Sequence, residues 1–487
     1  MNLRALLDDE SVPALELTGL AEHSQQVQPG FGYIAVAAND DDLLRHCRDA
    51  LARGAQALLI DSAAGSQAKL SRAAPDSCVC EVVDLAKRRG ELAARFYRHP
   101  SAHMTCIGVT GTNGKTSVAY HIADLAKRLG HPMGYSGTLG WGALDHLVDE
   151  GMTTGNAVAL QRQLADMLGA GLEGVSMEVS SHALHQNRAS EIEFDVALFT
   201  NLSRDHLDYH GTMDAYGEAK AKLFTQWPLR AAIINVDDEF GDALAQRCSC
   251  PVVRVGQTGD WRWRYRRHAN GLLVSWQTPD GECEAVLPVL ADFAVANVTL
   301  AMAALVTLGY PLSRIVDALA DMAGVPGRME VVAGRDDQPT VVVDYAHTPD
   351  ALIKVLRALR QTCQAQLYCV VGCGGDRDSG KRSMMGAAAA DAADHSWFTA
   401  DNPRSEAAQQ IIADMMAGVS ADRRDTIISE PDRRRAIYAA VAMAGGGDTV
   451  LIAGKGHETV QEIAGTKYAF DDRVVAADAL SKSAGGS

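Results

Sequence analysis

The chain has no apolar run near the roughly 20 residues that a membrane-spanning helix needs, although 47% of its 487 residues are hydrophobic. No spanning segment is expected. The acidic start, Met1-Asn2-Leu3-Arg4-Ala5-Leu6-Leu7-Asp8-Asp9-Glu10, lacks the apolar stretch of an export signal. Ten cysteines are too few for a disulfide scaffold at this length. Cys78-Val79-Cys80 and Cys248-Ser249-Cys250 are spaced too tightly for an ordinary zinc site, and no histidine cluster accompanies them. Reduced thiols and a cytoplasmic address are expected. Basic charge is short: the formal net charge is −16, which argues against nucleic acid as a partner. Anionic substrates would have to be met locally, by cations, helix N-termini and metal ions gathered in clefts. No long repeat is present, and no low-complexity tract beyond the small-residue tail at 481–487.

What is present starts with Gly108-Val109-Thr110-Gly111-Thr112-Asn113-Gly114-Lys115-Thr116. A strand-like segment, Thr105-Cys106-Ile107, leads into it. A helical pattern over 117–129 leads out and stops at Gly130. Strand, glycine-rich turn, Lys-Thr and helix make a phosphate cradle. Backbone amides of Gly111, Thr112, Asn113, Gly114 and Ser117 would wrap the phosphates of ATP. Lys115 would reach the terminal phosphates and the Thr116 hydroxyl would sit on Mg²⁺. Five residues, not the usual four, separate Gly108 from Gly114. The plain alternative is a tight turn that binds nothing.

Length suggests about three domains. Residues 1–98 read as a small α/β unit, with strands at 32–37 and 55–60 and a helix at 43–53. Residues 99–330 hold the phosphate loop and buried parallel strands at 174–179 and 196–200. Val325-Pro326-Gly327-Arg328 is the expected hinge. Residues 331–487 repeat the alternation, and four strands there each end in a polar loop: 344–347, 372–377, 401–404 and 454–458. In open α/β sheets, ligands bind outside the carboxyl ends of the strands. The fold class is α/β in three domains: a small N-terminal unit, a central parallel-sheet ATPase domain with the phosphate loop and a C-terminal Rossmann-like domain.

Glu178 ends an apolar strand near the phosphate loop, where a carboxylate is well placed to hold Mg²⁺; an N-cap or a solvated rim acid is the alternative. The loop Asn201-Leu202-Ser203-Arg204-Asp205-His206-Leu207-Asp208 is rich in Asp and His, as metal and catalytic loops are, although such loops also make hydrogen-bonded turns. By composition alone, Lys220 in the following helix reads as a surface lysine. Arg328 and Lys381 are cations able to neutralise a transferring phosphoryl group, or to make ordinary surface salt bridges.

These motifs taken together resemble the Mur ligases, which build the peptide stem of cell-wall precursors. Thr-Gly-Thr-Asn-Gly-Lys-Thr, Glu-Val-Ser-Ser-His at 178–182, Asn-Leu-Ser-Arg-Asp-His-Leu-Asp at 201–208 and Tyr-x-x-Ala-Lys at 216–220 match in order and spacing. The resemblance implies that Lys220 is carbamylated by CO₂ and helps His206 hold a second Mg²⁺, with Thr116 and Glu178 also among the ligands of the Mg²⁺ ions. It implies ATP contacts at Asn297, Arg328, Asp344, His347 and Lys381, with the C-terminal domain closing over the nucleotide. It also implies an acyl-phosphate route to an amide, with Lys115, Glu178, His206 and Lys220 as the catalytic set. Asp401-Asn402-Pro403-Arg404 points to the branch that adds meso-diaminopimelate. An arginine fork at Arg404, with Arg377 beside it, suits that substrate's second carboxylate. Gly454 and Glu458 match positions that hold the same amino acid. The acceptor implied is UDP-N-acetylmuramoyl-L-alanyl-D-glutamate, on Ser24, Thr153, Thr154, Ser180, Gln186 and Arg188. A monomer is expected, because the family's site lies between domains of one chain.

The resemblance is weakest at the N-terminus. Ser24 and Pro29-Gly30 match the family's uridine loop, but its Asp and Arg have no counterpart. Asn39-Asp40-Asp41-Asp42 stands where an Asp-Gly loop is usual. Ala294 replaces one of two common asparagines, leaving Asn297 for adenine. Two other classes compete: a folylpolyglutamate-synthase-like ligase, which shares the loop but not 401–404, and a nucleotide-binding module without catalysis.

Overall fold

A computed structural model describes residues 1–483 except 37–38, 62–76, 269–270, 333 and 336. Ala37, at the end of the first expected strand, and residues 484–487 of the tail lie outside the described residues. Three main sheets follow one another along the chain.

The first is a four-stranded parallel sheet of Gly19–Ala21, Phe31–Ala35, Ala57–Asp61 and Cys78–Val82. The segment 39–42 is no loop here. Asn39 caps the helix Asp40–Ala52, its side chain accepting from the Asp42 amide at 2.9 Å, and Asp40, Asp41 and Asp42 form the first turn. Three carboxylates at a helix N-terminus are favoured by its partial positive charge. The helix therefore begins three residues before its apolar pattern does.

The central sheet has seven strands in the order Val252–Val255, Ala231–Asn235, Val196–Phe199, Thr105–Thr110, Gly174–Glu178, Met133–Gly137 and Gly140–Gly142. All neighbours are parallel except the last pair. The strand entering the phosphate loop is thus flanked by those ending at Phe199 and Glu178, which brings three loops to one edge. Lys115–Arg128 is buried almost all round, between this sheet and the helix Asp292–Thr307. An antiparallel sheet of Arg262–His268, Gly271–Thr278 and Gly281–Leu287 is inserted after it. Its alternation of Trp263 inward with Arg262 and Arg264 outward is the period-2 signal that an α/β reading passed over.

The third sheet runs Glu330–Val332, Thr340–Asp344, Thr449–Ala453, Leu367–Cys373, His395–Ala400 and Ile427–Ser429, with only Glu330–Val332 antiparallel. Apolar clusters cover both faces: Val342, Leu356 and Met385 on one, Val341, Trp397 and Ile437 on the other. The expected hinge is a tight contact. Gly327 has φ +65°, and a methyl there would strike the backbone of Gly456 and His457. Among the described residues no helix is long and apolar enough to cross a membrane.

Candidate active site

The phosphate loop fills the gap between Thr105–Thr110 and Lys115–Arg128. Gly111 sits at φ +146°, where a methyl would meet the Thr200 hydroxyl; only glycine fits there. Neighbouring loops hold the turn in shape. The Asn113 amide donates to Asn201 Oδ1 at 3.0 Å, and the Thr200 hydroxyl donates to the Asn113 carbonyl at 2.6 Å. Asn297 Oδ1 packs so closely over Gly114 that a side chain there would crowd it.

Two lysines converge on one carbonyl. Lys115 Nζ donates to Gly111 O at 3.0 Å and to Thr112 O at 2.9 Å. Lys220 Nζ donates to the same Gly111 O at 2.7 Å. Lys220 is 1% exposed, which corrects the compositional reading of a surface lysine. Its helix, Met213–Thr225, packs with Tyr216, Ala219 and Leu223 inward, and the same face carries Lys220 under the loop. Burial first, and then the Lys115 charge, push the Lys220 amine well below its usual range. Burial also lowers Lys115.

Glu178 is neither an N-cap nor a rim acid. It is 1% exposed and accepts from Tyr135 Oη at 2.6 Å, the Thr138 amide at 2.8 Å and the Thr138 hydroxyl at 3.3 Å. The neighbouring helix Ser181–His185 is capped by Ser180 instead. His206 has φ +53° and lies against the Tyr216 ring, as the Lys220 ammonium does from 4.4 Å.

A cavity of about 560 Å³ lies between the central and C-terminal sheets. Residues 112–117, Thr153, Glu178, His206, Asn297, Arg328, Asp344 and His347 line it. Lys220 sits behind the loop, outside this lining. Arg328 crosses from the C-terminal side: Nη2 donates to Thr116 Oγ1 at 3.2 Å, and the guanidinium stacks 4.3 Å over Tyr345. Asp344 braces the backbone, accepting from the Met329 amide at 2.7 Å and the Ala346 amide at 2.8 Å. Lys381 Nζ donates to the His347 carbonyl at 3.0 Å. Burial and the Lys381 charge push the His347 imidazole down to about 4. Sequence reasoning missed the apolar wall of Pro288, Val289, Leu290 and Phe293 opposite the loop. It follows the inserted sheet, so no local motif marks it.

Among the described residues, no group of three or more His, Cys, Asp or Glu side chains is set to hold a metal. The oxygen donors Thr116 and Glu178 do share the cavity with the phosphate loop. That arrangement fits Mg²⁺, which is commonly held by one or two carboxylates together with substrate phosphates.

A second group of side chains runs toward the N-terminal sheet. Thr154 Oγ1 donates to the Glu178 carbonyl at 2.9 Å and accepts from the Ser180 amide at 3.1 Å. Arg188 donates to the Thr154 carbonyl at 3.0 Å and forks onto Gln186 Oε1 at 2.8 and 2.6 Å. Thr153 joins through Thr138, hydroxyl to hydroxyl at 3.0 Å. Arg89, which the sequence did not mark, reaches the Gln186 carbonyl at 3.0 Å and pairs with Glu22 at 3.3 Å. Ser24 is not in this group; its hydroxyl hydrogen-bonds Asp49 and holds that carboxyl below its usual range.

The loops 401–404 and 454–458 form a third group. Arg404, at φ +51°, donates through Nη1 to the Gly375 carbonyl at 2.7 Å and lies 3.6 Å from Glu462. Arg377 is exposed beside Gly374. The carbonyl of Pro403 backs onto Gly375. Asn402 Nδ2 donates to Glu458 Oε2 at 2.9 Å. Asp401 is buried against Gly454, and burial raises its carboxyl. For Glu458, burial pushes up but Lys455 and Asn402 prevail, so its carboxyl stays low.

A phosphate loop faces a cleft lined by a second α/β sheet, with a buried amine under the loop, an arrangement suited to nucleotide-dependent chemistry. The comparisons agree. Residues 109–305 match the Mur ligase middle domain, and 327–456 match the Mur ligase glutamate ligase domain. A UDP-N-acetylmuramoyl-L-alanyl-D-glutamate--2,6-diaminopimelate ligase of Pseudomonas aeruginosa is 45% identical over 455 residues, covering 92% of each chain. A solved structure of an enzyme with that name superposes with a TM-score of 0.69 at 36% identity over 99% of both chains. The chain belongs to the Mur ligase family. Mycobacterium tuberculosis folylpolyglutamate synthase, solved with ADP and AMPPCP, shares the fold alone: TM-score 0.62, 19% identity, 82% of this chain and 95% of that one.

Proposed function

We propose that this chain is an ATP-dependent ligase that joins meso-diaminopimelate to the D-glutamate γ-carboxylate of UDP-N-acetylmuramoyl-L-alanyl-D-glutamate in peptidoglycan precursor synthesis. The observation that carries the reading is Lys220, buried with Lys115 on the Gly111 carbonyl. A phosphate loop alone serves many functions. A buried lysine beneath it, whose charged form burial disfavours, suits capture of CO₂ as a carbamate, because only the neutral amine attacks CO₂. The modification would set an anion beside the Lys115 ammonium.

In this reading the loop amides, Lys115 and Arg328 bind the phosphates of ATP, and Asn297 with the apolar wall at 288–293 receives the base. Thr116, Glu178, His206 and carbamylated Lys220 would hold Mg²⁺, which when bound supplies charge neutralisation between nucleotide and acceptor. The acceptor's muramoyl dipeptide lies along Thr153, Thr154, Ser180, Gln186 and Arg188, with the uridine end toward Ser24. A carboxylate oxygen of D-glutamate attacks the γ-phosphorus, and ADP leaves. The free amine of diaminopimelate attacks the acyl carbon of the resulting acyl phosphate. Inorganic phosphate leaves, and the nitrogen loses its proton. Arg404 and Arg377 grip the distal carboxylate, while Asp401, Asn402, Pro403, Gly454 and Glu458 shape the rest of that pocket. Lys381, Asp344 and His347 brace the C-terminal wall, which excludes water from the intermediate.

The units 1–98, 99–330 and 331–487 act as acceptor, ATP and amino-acid domains. A monomer in the cytoplasm belongs to the same reading, as the family resemblance and the reduced cysteines imply.

The test is phosphate release from ATP with the UDP-linked dipeptide, comparing meso-diaminopimelate with L-lysine. Release with diaminopimelate alone is expected. Release with lysine would overturn the amino-acid assignment, and release with neither would overturn the ligase reading.

A further inference from the structure

The loops 401–404 and 454–458 leave two strands that are not neighbours; Leu367–Cys373 lies between them. They are tied together by Lys455, which no part of the proposed chemistry uses. Its side chain is 0% exposed, and lysine is rarely buried unless paired. Nζ donates to Asn402 Oδ1 at 3.1 Å and to Glu458 Oε2 at 2.8 Å. With the Asn402–Glu458 bond at 2.9 Å, three side chains from two loops form a closed triangle. Both bonds to Glu458 fall on Oε2, and among the described residues none falls on Oε1. Beneath the triangle, Arg433 and Asp472 form a fully buried pair at 2.7 Å. Arg433 also donates to Ala453 O at 2.9 Å and Ala400 O at 3.4 Å, the last residues of the two strands.

We infer that Lys455 is a positioning residue for the amino-acid substrate: it locks the two loops into one surface and leaves Glu458 Oε1 to accept a hydrogen bond from the substrate's ammonium. The inference rests on the reading that these loops take diaminopimelate. The charges in and around Glu458 support it. Asp401, Glu458 and Asp472 are three carboxylates against two cations, Lys455 and Arg433, with His457 and Tyr345 as the other titratable neighbours. One excess negative charge suits a floor that receives an ammonium. Without Lys455 the excess becomes two, and burial, opposed then only by the Asn402 bond and His457, would drive the Glu458 carboxyl up.

The test compares the wild type with Lys455→Met and Lys455→Gln, measuring KM for diaminopimelate and for ATP between about pH 6 and pH 8, where the substrate's own groups keep one charge state. Both variants are expected to raise KM for diaminopimelate by about 10- to 100-fold near neutrality, with KM for ATP unchanged. In both, KM for diaminopimelate should fall as pH rises, because deprotonation restores the Glu458 carboxylate; the wild type should be flat. A variant with wild-type KM for diaminopimelate at every pH overturns the inference. So does a loss confined to kcat without pH dependence, which is what a packing role would give. Should neither variant fold, the wild type decides: a KM for diaminopimelate that climbs as pH falls means that Glu458 titrates despite Lys455, and the inference fails. Absence of diaminopimelate-dependent phosphate release in the wild type would instead defeat the functional reading on which it stands.

Discussion

Lys220 and Arg404 carry the two sharpest expectations at the residue scale. Lys220→Ala removes the buried amine that the proposed carbamate needs. Ligation is expected to drop about 100-fold or more, and short-chain carboxylates added to the assay should restore part of it. Full activity of the variant without them would refute the carbamate. Arg404 is held by the Gly375 carbonyl, with Glu462 at 3.6 Å as a weak partner. Its fork is therefore preset but not consumed by a strong ion pair. Arg404→Ala should raise KM for diaminopimelate by about 10- to 100-fold, the worth of a charge-assisted hydrogen bond, while isothermal titration still detects ATP binding. Both residues were marked in the sequence by the motifs that resemble the family, Tyr-x-x-Ala-Lys at 216–220 and Asp-Asn-Pro-Arg at 401–404. By composition alone Lys220 looks like any helical lysine, and its burial depends on which face of Met213–Thr225 packs inward.

At the scale of elements, the carboxyl ends of strands decide where chemistry collects. Thr110, Glu178 and Phe199 end three adjacent strands, and the loops after them interlock through Thr200, Asn201 and Asn113. In the C-terminal sheet the corresponding strand ends are pinned by Arg433 and Asp472, both fully buried. Asp472→Asn leaves an uncompensated guanidinium and is expected to cost about 3–5 kcal/mol. The double variant Arg433→Met/Asp472→Leu should recover most of that, since neither charge remains. Urea midpoints of the C-terminal transition would decide; a double variant no better than the single one would contradict the argument. Strand and helix positions were readable because apolar runs and periodicities are local. The inserted sheet at 262–287 and the helix start at Asn39 were not, because a two-residue alternation and an acidic first turn look like loop polarity until their partners are known.

For the molecule as a whole, buried histidines set a pH limit on stability. Burial pushes His121 down to about 4, against an upward pull from Asp124; its Nδ1 has no partner among the described residues. The unfolded chain takes up a proton below about pH 6.5 that the folded protein refuses until about pH 4. Stability is therefore full above that window and falls through it, by about 3 kcal/mol from this residue. His347 and His457, also pushed to about 4, act in the same direction. Thermal unfolding between pH 7 and about pH 4.5 should show the decline, and His121→Phe should make it shallower. An equal slope in the variant would remove His121 from the account.

The strand–loop–helix alternation, the phosphate loop and the order of its motifs were legible in the sequence, because these depend on residues close along the chain. It marked Arg404 and Glu458 for the same reason. Tertiary structure decided what those motifs touch. Gly111 meets Lys220, Thr116 meets Arg328 across the cleft, and Asn402 meets Lys455 and Glu458. Contacts between such distant segments follow from strand order and from which helix face is buried. Those are settled by the packing of whole sheets, which no local spacing encodes.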